Sequence, residues 1–239
     1  MTTTAPPDHG IAPRTRSIPA VGDLTDRAAG LGAIGFAGLV IVQNVIRGSA
    51  PQPGADIDDV VAHYADHRGL TVVLTVTFVL SLGCLAAFLG GVVRRLVTSG
   101  RPGWAVLGGA GGMAIIALFA SVVAAEQAIS VLAAGSAPDP QAIEALWSLH
   151  NSLFTVNMLF IGIALVGLSR AGIAAGITPR AFARLAPAGA ALLAIGTLSG
   201  PYTANGEAMV LFGVSVVGFV VWLAFLVATG VRLVRSDAS

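Results

Sequence analysis

A single glutamate, Glu126, stands well inside a long apolar run, and an ionisable group at membrane depth is costly enough to mark a functional candidate. It lies seven residues from the outer end of that run. At about 1.5 Å per residue it is on the order of 10 Å deep. The next apolar run opens with Trp147, His150, Asn151 and Asn157, whose spacings of three, four and seven residues put them on one helical face. Gln43 and Asn44 sit near the outer end of an earlier run, at a depth close to that of His150. Glu126, His150, Asn151 and either Gln43 or Asn44 are therefore expected to line one pocket, closed by Trp147.

A carboxyl group beside an imidazole is the arrangement that proton transfer requires, with Glu126 as donor and His150 as its partner or base. The same groups have two other uses. They can bind a ligand, or they can hydrogen-bond one another and hold helices together, with Arg47 neutralising Glu126.

A second constellation lies in the loop SAPQPGADIDDVVAHYADHRGL. Ile57, Val60, Val61 and Tyr64 recur at helical spacing, which predicts a short amphipathic helix lying on the membrane or over the bundle. On its other face Asp59, His63 and His67 form an i, i+4, i+8 stripe. An aspartate and two neutral imidazoles so spaced are possible ligands of a divalent metal, the only cofactor the residues suggest. A solvated helix face carries the same pattern.

Other chemistries lack the residues they need. Paired haem imidazoles on facing spans are missing, since His150 is the one histidine expected in hydrocarbon. Phosphate-binding loops and dinucleotide fingerprints are absent too. The single cysteine, Cys84, lies in an apolar run and reads as core filling.

The elements that carry these residues follow from composition. Of 239 residues 55% are hydrophobic and 10% charged, against roughly 25% charged usage in soluble domains, so an all-α membrane domain is expected. Six runs have the length and apolarity of spans: about 29–47, 70–93, 104–133, 147–169, 182–201 and 207–231. The fifth is short, begins with Arg184 and contains Pro187. Residues 1–28 carry proline, threonine and charge without an apolar core and read as a flexible tail with no cleavable signal segment. A second tail is expected at 234–239.

Orientation comes from counting arginines, which are retained near span ends on the cytoplasmic side. With both termini in the cytoplasm, eleven of the thirteen basic residues, all arginine, fall on that face, leaving Arg47 and Arg68 outside with most of the acids. A plasma-membrane protein with six crossings satisfies every loop at once. The net charge of +1 and the absence of a basic stripe give no reason to expect nucleic acid. Glycine pairs such as Gly108 with Gly112 and Gly35 with Gly38 suit close helix packing, within one chain or between two copies of it.

The run DDVVAHYADHRG leading into a span that ends GGVVRRLV, followed by ALWSLHNSLF and GITPRAFARLAPAGA, resembles actinobacterial six-span membrane proteins of unknown function over about residues 28–233. That resemblance implies the fold. A fainter likeness is to membrane sterol isomerases and meroterpenoid cyclases, where carboxylates in an apolar bundle protonate an olefin or epoxide. It implies Glu126 as acid, with Trp147 and Trp222 stabilising a carbocation. Three functions stay open: binding of a lipophilic or amphipathic small molecule, acid–base catalysis on an isoprenoid-like substrate, and a structural role in a membrane complex.

Overall fold

A computed structural model describes residues 25–98, 100–204 and 206–236, so the tail expected at the N-terminus lies outside the described residues except for 25–28, and that at the C-terminus except for 234–236. Those described parts of both tails belong to the ends of helices. Among the described residues the α-helices are α1 (Asp26–Ile46), α2 (Ile57–Asp66), α3 (Arg68–Val97), α4 (Pro102–Ala133), α5 (Pro140–Ala174), α6 (Phe182–Leu198), α7 (Gly200–Ala204) and α8 (Met209–Ser236). A 3-10 turn at Arg47–Ser49 follows α1.

Five of these, α1, α3, α4, α5 and α8, are long and apolar enough to cross a membrane. α6 is apolar but only 17 residues long. The chain is thus a helical bundle built for a bilayer, and its outward faces agree: Val45, Val72, Val79, Val131, Val210 and Leu198 are all exposed.

Helix ends lie beyond the apolar runs wherever a cap supplies the orphaned amides. Thr25 accepts from the Ala28 amide and starts α1 at Asp26. Asp139 accepts from the Gln141 and Ala142 amides and Pro140 occupies the first turn, so α5 begins seven residues before Trp147. α6 instead stops at Leu198, and the chain turns through α7.

The long helices close into a ring. α1 packs on α3, α3 on α4, α4 on α5, α5 on α6, α6 on α8, and α8 returns to α1. α5 also touches α3 and α8, which makes it the most buried helix of the ring. Glycine permits the tightest of these contacts. A Cβ on Gly108 would fall 2.5 Å from the Leu168 amide nitrogen, and one on Gly30 would fall 2.6 Å from the Gly230 carbonyl oxygen. The expected Gly108–Gly112 pair therefore serves packing inside this chain, Gly108 against α5 and Gly112 against Leu89 of α3. Gly35 faces Cys84, while Gly38 meets nothing within 4 Å.

α2 is the amphipathic loop helix. It rests across one end of the bundle, with Val60 and Tyr64 buried among Ile129, Ala133, Ile143 and Trp147. A break at His67, where φ is −112° and ψ 33°, separates it from α3.

Candidate functional site

The α2 end of the bundle holds a compact polar cluster. α4 brings Glu126 there, α5 brings Trp147, His150 and Asn151, the turn after α1 brings Arg47, and α2 brings Tyr64. Glu126, His150 and Asn151 are each about nine-tenths buried or more.

Arg47 grips Glu126 with both arms of its guanidinium: Nη1 donates to Oε1, and Nη2 donates to Oε2 at 2.9 Å. Two-point geometry suits an ionised carboxylate, and a charge at this depth needs its partner. The Tyr64 hydroxyl donates to the same Oε1 at 3.3 Å. His150 Nε2 lies 3.3 Å from that oxygen, off the line of a hydrogen bond, and its Nδ1 is 3.2 Å from Asn151 Oδ1. Trp147 stacks on His150 with ring centroids 5.1 Å apart and planes 6° from parallel, and Tyr64 meets Trp147 edge-on. The indole thus covers the imidazole.

Below the ion pair the interior turns aromatic. Arg47 lies over Phe78, and Phe78, Phe119, Phe154 and Phe212 follow one another at centroid separations of 5.9, 6.4 and 6.2 Å across α3, α4, α5 and α8. Deeper still, Phe36, Leu85, Phe88, Leu165, Leu168, Phe225 and Leu226 are essentially fully buried and form an apolar plug toward the far end. A buried apolar core therefore separates the polar cluster from the far end of the bundle.

Several buried polar atoms have no protein partner: both amide atoms of Gln43 and of Asn157, Asn151 Nδ2 and the indole nitrogen of Trp147 in this half, and the indole nitrogen of Trp222 in the main core. Buried polar groups are nearly always satisfied, so such atoms need an explanation. A cavity of about 10 Å³ adjoins the ion pair, walled by Arg47, His63, Tyr64, Thr71, Leu74 and Glu126. That is near the size of one water molecule.

On α2, burial pushes the Tyr64 phenol well above its usual pKa, and the Glu126 carboxylate pushes it further. His63 moves the other way: burial lowers its pKa, with His67 and Arg47 adding to the effect.

The expected site residues divide clearly. Glu126, His150, Asn151 and Trp147 come together. Gln43 is buried because it continues the stripe Ala29, Ala33, Phe36 and Val40, whereas Asn44 is exposed and its Nδ2 donates back to the Val40 carbonyl at 2.8 Å. Asn157 is buried two turns deeper on α5. Trp222 belongs to the main core, stacked on Phe225, and not to the cluster around Trp147. His63 and His67 stack at 4.5 Å, with His67 Nδ1 2.9 Å from the His63 carbonyl oxygen. No group of three or more His, Cys, Asp or Glu side chains placed to hold a metal ion is gathered among the described residues. The contact sequence reasoning missed is Tyr64 on Glu126. Its signal was present, since Tyr64 ends the inward stripe of α2.

Compared with protein-family models, curated proteins and solved structures, the chain matches none, so its chemistry rests on this geometry.

Proposed function

We propose that this is a plasma-membrane protein with six crossings and both termini in the cytoplasm, which seats an amphipathic small molecule in the α2-end half of its bundle. α6 supplies the sixth crossing with help from the turn into α7. Arginine asymmetry supports the orientation: α2-end segments carry Asp56, Asp58, Asp59, Asp66, Asp139, Glu144 and Glu207, and the opposite end is rich in arginine. The ligand's polar group sits at Arg47, Glu126, His150 and Asn151, and its apolar body lies along Phe78, Phe119, Phe154 and Phe212.

The observation that carries this reading is the set of unpartnered buried atoms of Gln43, Asn151, Trp147 and Asn157, beside a row of aromatic rings and next to the apolar core. A few convergent polar groups in an apolar setting are what a small-molecule site looks like. The acid–base reading with Glu126 as proton donor is disfavoured, because a carboxylate clamped by a guanidinium is an acceptor with no proton to give. The cavity of about 10 Å³ beside the ion pair has room for about one water, so on this reading α2 must lift for the ligand to enter.

The test is photolabelling of the detergent-solubilised protein with a diazirine-bearing fatty alcohol, mapped by peptide mass spectrometry. Labels on Phe119–Glu126 and Trp147–Phe154 that an excess of unlabelled fatty alcohol removes support the site. Labelling confined to lipid-facing residues such as Val72 and Val131 sinks it.

A further inference from the structure

At the end opposite α2 the charge balance is one-sided. Arg27, Arg94, Arg95, Arg101, Arg170, Arg180, Arg184, Arg232 and Arg235 gather there, while among the described residues Asp26 is the one acid, and it pairs with Arg95. This end also carries a shallow, wide-open recess of about 500 Å³, lined by Arg101, Gly103, Trp104 and Leu107 at the start of α4. Trp104 and Leu107 are substantially exposed, and nothing stands within 4 Å of the place a Gly103 side chain would take. Gly167 packs against the backbone of Trp104 and Gly108. Arg170, three residues beyond Gly167 on α5, is exposed at the same end of the bundle.

We propose that this recess holds the headgroup of an anionic phospholipid, with Arg101 and Arg170 on its phosphate and with Trp104 and Leu107 against its glycerol and upper acyl chain. The placement follows from chemistry. A guanidinium binds phosphate oxygens in a two-point fork, an indole belongs at the boundary between headgroups and hydrocarbon, and each arginine near an anionic leaflet adds attraction. Zwitterionic lipids give up this attraction because their own cation opposes it. The site lies across the bundle from Glu126 and does not depend on a ligand being bound there.

The experiment counts lipids kept by the full chain in native mass spectrometry after exchange into micelles doped with equal phosphatidylglycerol and phosphatidylcholine. The parent should retain phosphatidylglycerol in preference, and each of Arg101→Gln and Arg170→Gln should reduce that preference about fivefold, the worth of one arginine near the surface. Arg68→Gln, at the α2 end, should leave it unchanged. Arg101→Lys/Arg170→Lys keeps the charge and should retain most of the preference, which separates lost binding from lost folding. Raising salt on the parent should weaken phosphatidylglycerol retention while leaving phosphatidylcholine untouched. Equal retention of the two lipids by the parent, or an undiminished preference in the double glutamine variant, overturns the proposal. Displacement of the lipid by millimolar inorganic phosphate also overturns it, because the recess would then be a site for the soluble anion.

Discussion

Arg47 and Glu126 are 79 residues apart in sequence and meet through both guanidinium arms and both carboxylate oxygens, joining the end of α1 to the interior of α4, two helices that otherwise do not touch. Removing one partner strands a buried charge, whereas removing both strands none. Arg47→Gln should therefore cost on the order of 3 kcal/mol, a range typical of a broken buried pair. Arg47→Gln/Glu126→Gln should recover much of that loss. Thermal unfolding of the four proteins in detergent reads the coupling, and strictly additive losses would show that the pair is not linked in the folded protein.

Tyr64 is the latch between α2 and this pair. Tyr64→Phe keeps the ring among Ile129, Ile143 and Trp147 but removes the hydroxyl from Glu126. The loss should be about 1 kcal/mol, the net worth of one such bond. Faster amide exchange confined to Ile57–Asp66, with α4 and α5 unchanged, is the expected signature. Uniform acceleration over the bundle would deny α2 a separate docking equilibrium.

Docking of α2 should weaken in acid. His63 has its pKa lowered by burial, by His67 and by Arg47, with Glu126 opposing, so the docked helix binds the proton less readily than the undocked one. Docking is then at full strength above the ordinary value of about 6.5 and is lost progressively as pH falls below it toward the lowered value. His63→Gln should remove that dependence in an exchange profile of α2 between neutral and mildly acidic pH. An unchanged profile in the variant would assign the effect to another group.

Asn157 should trade stability against binding. Its two amide atoms are buried without partners, so Asn157→Leu removes an unsatisfied donor and acceptor while keeping the branching and the number of heavy atoms. Thermal stability of the ligand-free protein should rise while photolabelling by the fatty alcohol falls. A stability loss with full labelling would mean that the amide is satisfied in the native membrane and does not serve the ligand.

Gly108 tests the ring itself. Its missing Cβ is replaced by the Leu168 backbone of α5, so Gly108→Val forces α4 and α5 apart. The variant should lose several kcal/mol, on the order of a strongly overpacked core. Gly38→Ala, where space is open, should be close to neutral. Equal behaviour of the two would argue against the α4–α5 contact.

Much of this protein is visible before any helix is placed. Apolar runs separated by short polar turns specify membrane helices because a backbone in hydrocarbon must satisfy its own hydrogen bonds. The inward face of α5 is equally plain, since His150, Asn151 and Asn157 share one side of a period of 3.6. So is α2, whose apolar stripe at Val60 and Tyr64 predicts a helix resting on the bundle. The choice between Gln43 and Asn44 was also readable from the stripe at Ala29, Ala33, Phe36 and Val40, which only Gln43 extends.

Tertiary structure decided the rest. The long helices are apolar around most of their circumference, so sequence contains little about how each is rotated against its neighbours. That rotation sends Arg47 to Glu126, separates Trp222 from Trp147, and seats Tyr64 over the ion pair. Periodicity is a local property of one helix, while the partner of a buried charge is a property of the whole ring. The residue types and their faces were therefore written in the chain, and their pairings were set by packing.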